Sequence, residues 1–167
     1  MSARVLVAGI GNIFFGDDGF GSAVLQRLAA EPVAGARFED YGIRGLHLAF
    51  EMLAGYERVI VVDAVSRGGT PGTLYVIEPD LAQSASAPDG HRMDLANVFG
   101  FLRTFGGDAP PVTIVGAEAE TAEDGIGLSP AMEVAVTAAL PLVRRLVHEA
   151  LAVSPARAAK ETTWSEV

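Results

Sequence analysis

Between residues 5 and 29 the chain reads as an apolar strand, a glycine-rich turn and a helix, and this unit constrains the fold most. Val5-Leu6-Val7-Ala8 has the character of a short buried strand, and residues 22–29 that of a helix. Between them stands Gly9-Ile10-Gly11-Asn12-Ile13-Phe14-Phe15-Gly16-Asp17-Asp18-Gly19-Phe20-Gly21. A glycine-rich turn from strand to helix ordinarily offers free N–H groups to a phosphate. Here two adjacent carboxylates occupy the mouth of the helix. They repel a phosphate and attract a cation.

The rest of the chain repeats the alternation. Strands are predicted over residues 5–9, 36–41, 58–63, 73–77 and 111–116, and helices over 18–30, 46–53, 94–104 and from Ser129 to about Leu151. Arg58-Val59-Ile60-Val61-Val62-Asp63 is the clearest buried strand: four β-branched residues, then an acid. Ser129 has the character of an N-cap with Pro130 at the first helical position. Pro141 predicts a kink or break in that last helix. The order β-α-β-α-β-β-α-β-α implies an α/β sandwich, a mostly parallel sheet with helices on both faces. We expect a single domain over residues 1–151 and a flexible tail over 152–167, since the pattern vanishes from Ser154.

Composition removes several chemistries. Half of the 167 residues are apolar, enough for a core without staples. There is no cysteine, which excludes disulfides, zinc–thiolate sites and thiol catalysis. A transition metal here must use carboxylate, imidazole, backbone or water. The net charge of −9 argues against nucleic acid or an anionic membrane as partner. No apolar run approaches the roughly 20 residues of a membrane span. The N-terminus enters the first strand with no signal-peptide pattern, so a soluble cytoplasmic protein is expected.

In mostly parallel sheets ligands bind beyond the carboxyl ends of the strands. Asp18 lies just past the first strand, Asp63 ends the third, and His91 lies in the long loop after the fourth. Each has an ordinary alternative. Asp17 and Asp18 suit a helix start, and we assign simple capping to Asp17. Asp63 either caps the next turn or is paired or ligated, since it closes a fully apolar strand. His91 is either merely exposed or the third ligand beside two acids, imidazole being suited to nickel, zinc and copper. His148 reads as part of a solvated helix face, and His47 as a packing residue at a helix start. No Gly-x-Ser-x-Gly elbow, His-Glu-x-x-His helix or Walker lysine is present. A dinucleotide fingerprint fails at Phe14, although Asp40 is placed to act as a ribose acid.

Taken together, Gly9-x-Gly11-Asn12-x-x-x-x-Asp17-Asp18-Gly19-x-Gly21 resembles the opening motif of the hydrogenase maturation proteases. These endopeptidases trim the nickel-containing large subunit of [NiFe] hydrogenases. The likeness runs to about residue 150. Val61-Val62-Asp63-Ala64 is similar to the family's second acidic motif, His91 shortly before Leu95 to its histidine motif, and Gly127-Leu128-Ser129-Pro130 to its turn into the last helix. Two departures stand out. The first ligand, often Glu in the family, is Asp18, one methylene shorter. Asp40-Tyr41-Gly42-Ile43-Arg44-Gly45 replaces a run of Asp-Gly-Gly-Thr-x-Gly type.

The resemblance implies a three-layer α/β/α sandwich around a five-stranded sheet with one antiparallel strand. It also implies Asp18, Asp63 and His91 as both metal ligands and catalytic residues. The function implied is removal of the C-terminal extension of a large-subunit precursor that already carries nickel. The metal would come with the substrate, and no tightly held metal of the enzyme's own is expected. The alternatives are a non-catalytic metal-binding or nickel-delivery module using the same three ligands, and a nucleotide-binding domain.

Overall fold

A computed structural model describes residues 2–81 and 94–153. The elements are β1 (Val5–Ile10), a single 3-10 turn (Gly16–Gly19), α1 (Phe20–Leu28), β2 (Ala36–Gly42), α2 (Gly45–Met52), β3 (Arg58–Val65), β4 (Leu74–Ile77), α3 (Leu95–Phe105), β5 (Val112–Glu118) and α4 (Pro130–Ala152). The strands form one sheet in the order β2-β1-β3-β5-β4. Four strands are parallel, and β4 runs antiparallel to β5, with Leu74 opposite Ala117 and Ile77 opposite Ile114. The antiparallel strand has a simple cause. The segment between β3 and β4 has no helix, and a parallel return needs a crossover of a dozen or more residues.

The sheet is covered on both faces, which explains why its central strands are apolar without alternation. Val5 and Val7 of β1, with Ile60 and Val62 of β3, pack against Phe20, Val24, Leu25 and Leu28 of α1 and Met132, Val136 and Val143 of α4. The intervening residues Leu6, Ala8, Val59 and Val61 pack against Leu48 and Met52 of α2 and Val98, Phe99 and Leu102 of α3. The predicted α/β/α sandwich with one antiparallel strand is therefore the observed fold.

Two local expectations are corrected. The first helix does not begin at Asp18. Gly16 takes φ +53°, a 3-10 turn follows, and the α-helix starts at Phe20. The turn is held from outside: the Gly16 N–H donates to the Gly125 carbonyl (2.8 Å) and the Asp17 N–H to that of Thr121 (3.1 Å). Pro141 does not break α4, which runs as one helix. Pro141 is exposed, while Ala139 and Val143 on either side are fully buried. Packing on the sheet keeps the two halves one helix across the missing hydrogen bond. Ser129 is the N-cap as expected, its hydroxyl accepting from the Met132 N–H at 3.4 Å. Among the described residues no helix is long and apolar enough to cross a membrane.

Candidate active site

The chain turns sharply where β1 ends, and glycine permits it. Gly11 takes φ +126°, and a Cβ there would lie 2.1 Å from the Asp18 carbonyl oxygen. Gly21 lets the start of α1 sit directly on the strand ends, since a Cβ there would lie 2.4 Å from the Ile10 carbonyl oxygen and 2.5 Å from that of Val62. This close approach sets the 3-10 turn that carries Asp18 against the carboxyl end of β3. The Asp18 carboxylate is oriented by the Asn12 N–H, which donates to Oδ2 at 2.7 Å. Asp18 keeps partial access to solvent.

Asp63 lies two positions before the end of β3, opposite Gly116 of β5. It shares the strand face of Val59 and Val61 and retains some exposure at the rim. Burial pushes its carboxyl well above the ordinary aspartate value. The negative charge of Asp18 adds to the rise, the Ala64 N–H opposes it, and Asp94 adds a further upward push. Asp94 is the N-cap of α3, where its side chain accepts from the Asn97 N–H at 2.8 Å. The carboxyl edge thus gathers several carboxylates around one that is poorly solvated. Such a site favours taking up a proton or a cation.

Asp17 was expected only to cap its own helix, and this is corrected. It is fully buried, and its partners lie more than a hundred residues away. Oδ2 accepts from the Glu120 N–H (2.8 Å), the Thr121 N–H (3.1 Å) and the Ser129 hydroxyl (2.9 Å), and Oδ1 from the Ser129 N–H (2.7 Å). Burial alone raises its pKa, but these donors outweigh it and leave the pKa lowered. Asp17 therefore clamps the β5–α4 connection to the turn that carries Asp18. Nothing in the sequence marks that pairing. Asp94 could have been noticed as an acid just before the apolar run of α3.

The other candidates are placed as follows. His91 lies outside the described residues. His47 and His148 are exposed. Asp40 is engaged locally, its Oδ1 accepting from the Ser22 hydroxyl and the Gly42 N–H, both at 2.9 Å. Arg44 folds back on the same loop, donating to the Asp40 carbonyl at 2.6 Å. Among the described residues, no three His, Asp or Glu side chains are grouped so as to hold a metal ion.

Residues 24–145 match the sequence model of the HycI family, described as hydrogenase maturation protease. The chain belongs to the hydrogenase maturation protease family. It is 32% identical to the hydrogenase 2 maturation protease of Escherichia coli K12 over 153 residues, covering 87% of this chain and 92% of that one. The fold agrees. The hydrogenase maturating endopeptidase HybD of E. coli superposes with a TM-score of 0.73 at 29% identity, covering 87% of this chain and 93% of that one. The hydrogenase 2 maturation peptidase of a Thaumarchaeota archaeon gives 0.67 at 31% identity, with 87% and 98% covered. As a maturation protease, this protein is an endopeptidase, and its Asp63 lies near the carboxyl end of a central strand of the sheet.

Proposed function

We propose that this maturation protease removes the C-terminal extension of a [NiFe] hydrogenase large-subunit precursor already loaded with nickel, and that it does so in the cytoplasm. The observation that carries the reading is the placement of the turn bearing Asp18 against β3, the strand whose carboxyl end carries the poorly solvated Asp63. A cation brought by the substrate relieves the repulsion that Asp18 exerts on Asp63. Asp18, Asp63 and His91 are the ligands in this reading. His91 precedes Asp94 by three residues in the chain, and Asp94 is one of the charges acting on Asp63. Two carboxylates and an imidazole form a set that suits nickel and leaves positions for the substrate's own groups.

On this reading the nickel fixes the precursor's tail beside the acids and polarises the scissile carbonyl. An aspartate, or a water held by one, takes up the proton of the attacking water. The absence of cysteine fits both a reducing compartment and a site without thiolate ligands. Incubation with nickel-loaded and nickel-free precursor, read by mass spectrometry, tests the proposal. Loss of the extension only from the loaded form is expected. Equal cleavage of both forms rules out recognition of nickel, and cleavage of neither rules out the function. A nickel-delivery module would bind the metal and leave the precursor intact.

A further inference from the structure

The carboxyl edge carries more than acids. Ile13, Phe14 and Phe15 are 44%, 60% and 41% exposed, and Ile126 is 76% exposed. These residues come from two loops that are stitched together. Phe15 and Gly125 form a parallel bridge, with the Gly125 N–H donating to the Phe14 carbonyl and the Gly16 N–H to the Gly125 carbonyl, both at 2.8 Å. Asp17 fastens the same loops from beneath. Ile43 (51%) and Leu46 (43%) follow β2, whose end touches this turn through the Gly11 N–H to Gly42 carbonyl bond at 3.0 Å. Single exposed apolar residues are unremarkable on any surface. Here five stand on loops, with Leu46 in the first turn of α2, on segments joined to the turn that bears Asp18, and a concentration of exposed apolar residues of this kind marks an interaction site.

The charge of the rim says what fits it. The loop that presents Ile126 also carries Glu120, Glu123 and Asp124, all exposed, and the chain as a whole is strongly acidic. The geometry points to a docking surface for the polypeptide substrate on the stitched loops 11–16 and 119–127, fitted to a segment that presents apolar side chains interleaved with basic ones. This inference rests on the proposed function, because it takes the occupant to be the precursor that is cleaved. Apolar contact supplies the affinity, and the acidic rim steers the encounter and sets its salt dependence.

Processing kinetics of nickel-loaded precursor test it with the double variant Phe14→Ser, Ile126→Ser and, separately, Glu123→Lys with Asp124→Lys. Thermal melts confirm that each is folded, and Phe50→Ser, an exposed residue in the last turns of α2, serves as control. The expected result is a tenfold or greater rise in KM for the apolar variant with kcat within twofold of wild type. The charge variant should also raise KM and flatten its dependence on salt, and the control should change neither constant. Unchanged KM in both variants, with wild-type protein still cleaving, overturns the docking surface and leaves the proposed function standing. A fall in kcat at constant KM also overturns it, since the loops would then shape the reacting site and not hold the substrate. If wild-type protein cleaves no precursor, the proposed function fails and this inference with it.

Discussion

Asp63 ends a run of four fully buried residues, and its ionised form is opposed by burial and by Asp18. Its pKa is higher in the folded chain than in the unfolded one, so the sign of its effect on stability follows. Below about pH 4 both states are protonated and nothing is lost. As pH rises, the unfolded chain ionises first and the fold loses stability, until the folded-state pKa is passed. Asp63→Asn should therefore match wild type in melting temperature at acid pH and equal or exceed it at pH 7, while failing to process precursor. A lower melting temperature at pH 7 would show that the carboxylate is structural. Asp17 behaves in the opposite way, because its donors hold its pKa down. Its contribution is present above the unfolded value and disappears as pH falls through the folded one. Asp17→Asn turns an amide N–H toward groups that are themselves donors, and should cost about 2–3 kcal/mol at pH 7, read by denaturant unfolding.

At the scale of elements, α1 is placed by contact between backbones. Gly21 allows its first turn to lie against the carbonyl oxygens of Ile10 and Val62. Gly21→Ala forces a methyl group into two backbone oxygens that cannot rotate away. The helix and the turn before it must shift, at a cost of about 2 kcal/mol or more. The melting temperature should fall by roughly 4–8 °C, and processing should fall further than stability accounts for, because Asp18 moves with the turn. Full activity in a destabilised Gly21→Ala protein would show that the position of α1 does not set the site. Helix α4 shows the converse: packing on the sheet keeps it one continuous helix across Pro141, although its local chemistry favours a break.

At the scale of the whole molecule, the proposed function turns on which partner brings the metal. On the proposed reading, two carboxylates and an imidazole without thiolates make a site of moderate affinity, and the metal arrives with the substrate. Purified protein should contain well under one equivalent of metal by elemental analysis. Treatment with a chelator, followed by its removal, should leave processing of nickel-loaded precursor at the untreated rate. Stoichiometric zinc, with activity lost when it is stripped, would instead make this an ordinary metalloprotease.

The layers of the fold were legible in the sequence because burial on both faces leaves an uninterrupted apolar run, as in Val59–Val62, and helices keep their own period. The antiparallel strand was implied only by the family resemblance; the short β3–β4 connection that explains it became plain with the sheet order. Asp18 and Asp63 stood out because each ends or follows a strand at the edge where such sheets bind ligands. The sequence did not disclose what depends on the approach of distant segments. Asp17 looked like a local cap, yet its four donors come from residues 120, 121 and 129. The start of α1 was misplaced because the turn before it is held by that same loop, and the helix does not break at Pro141 because sheet packing outweighs a local defect. The charge that Asp94 exerts on Asp63 and the bridge from Phe15 to Gly125 belong to the same class. Local spacing encodes which element a residue occupies, while partnership across a hundred residues arises only when the chain closes on itself, and the tertiary structure alone decides it.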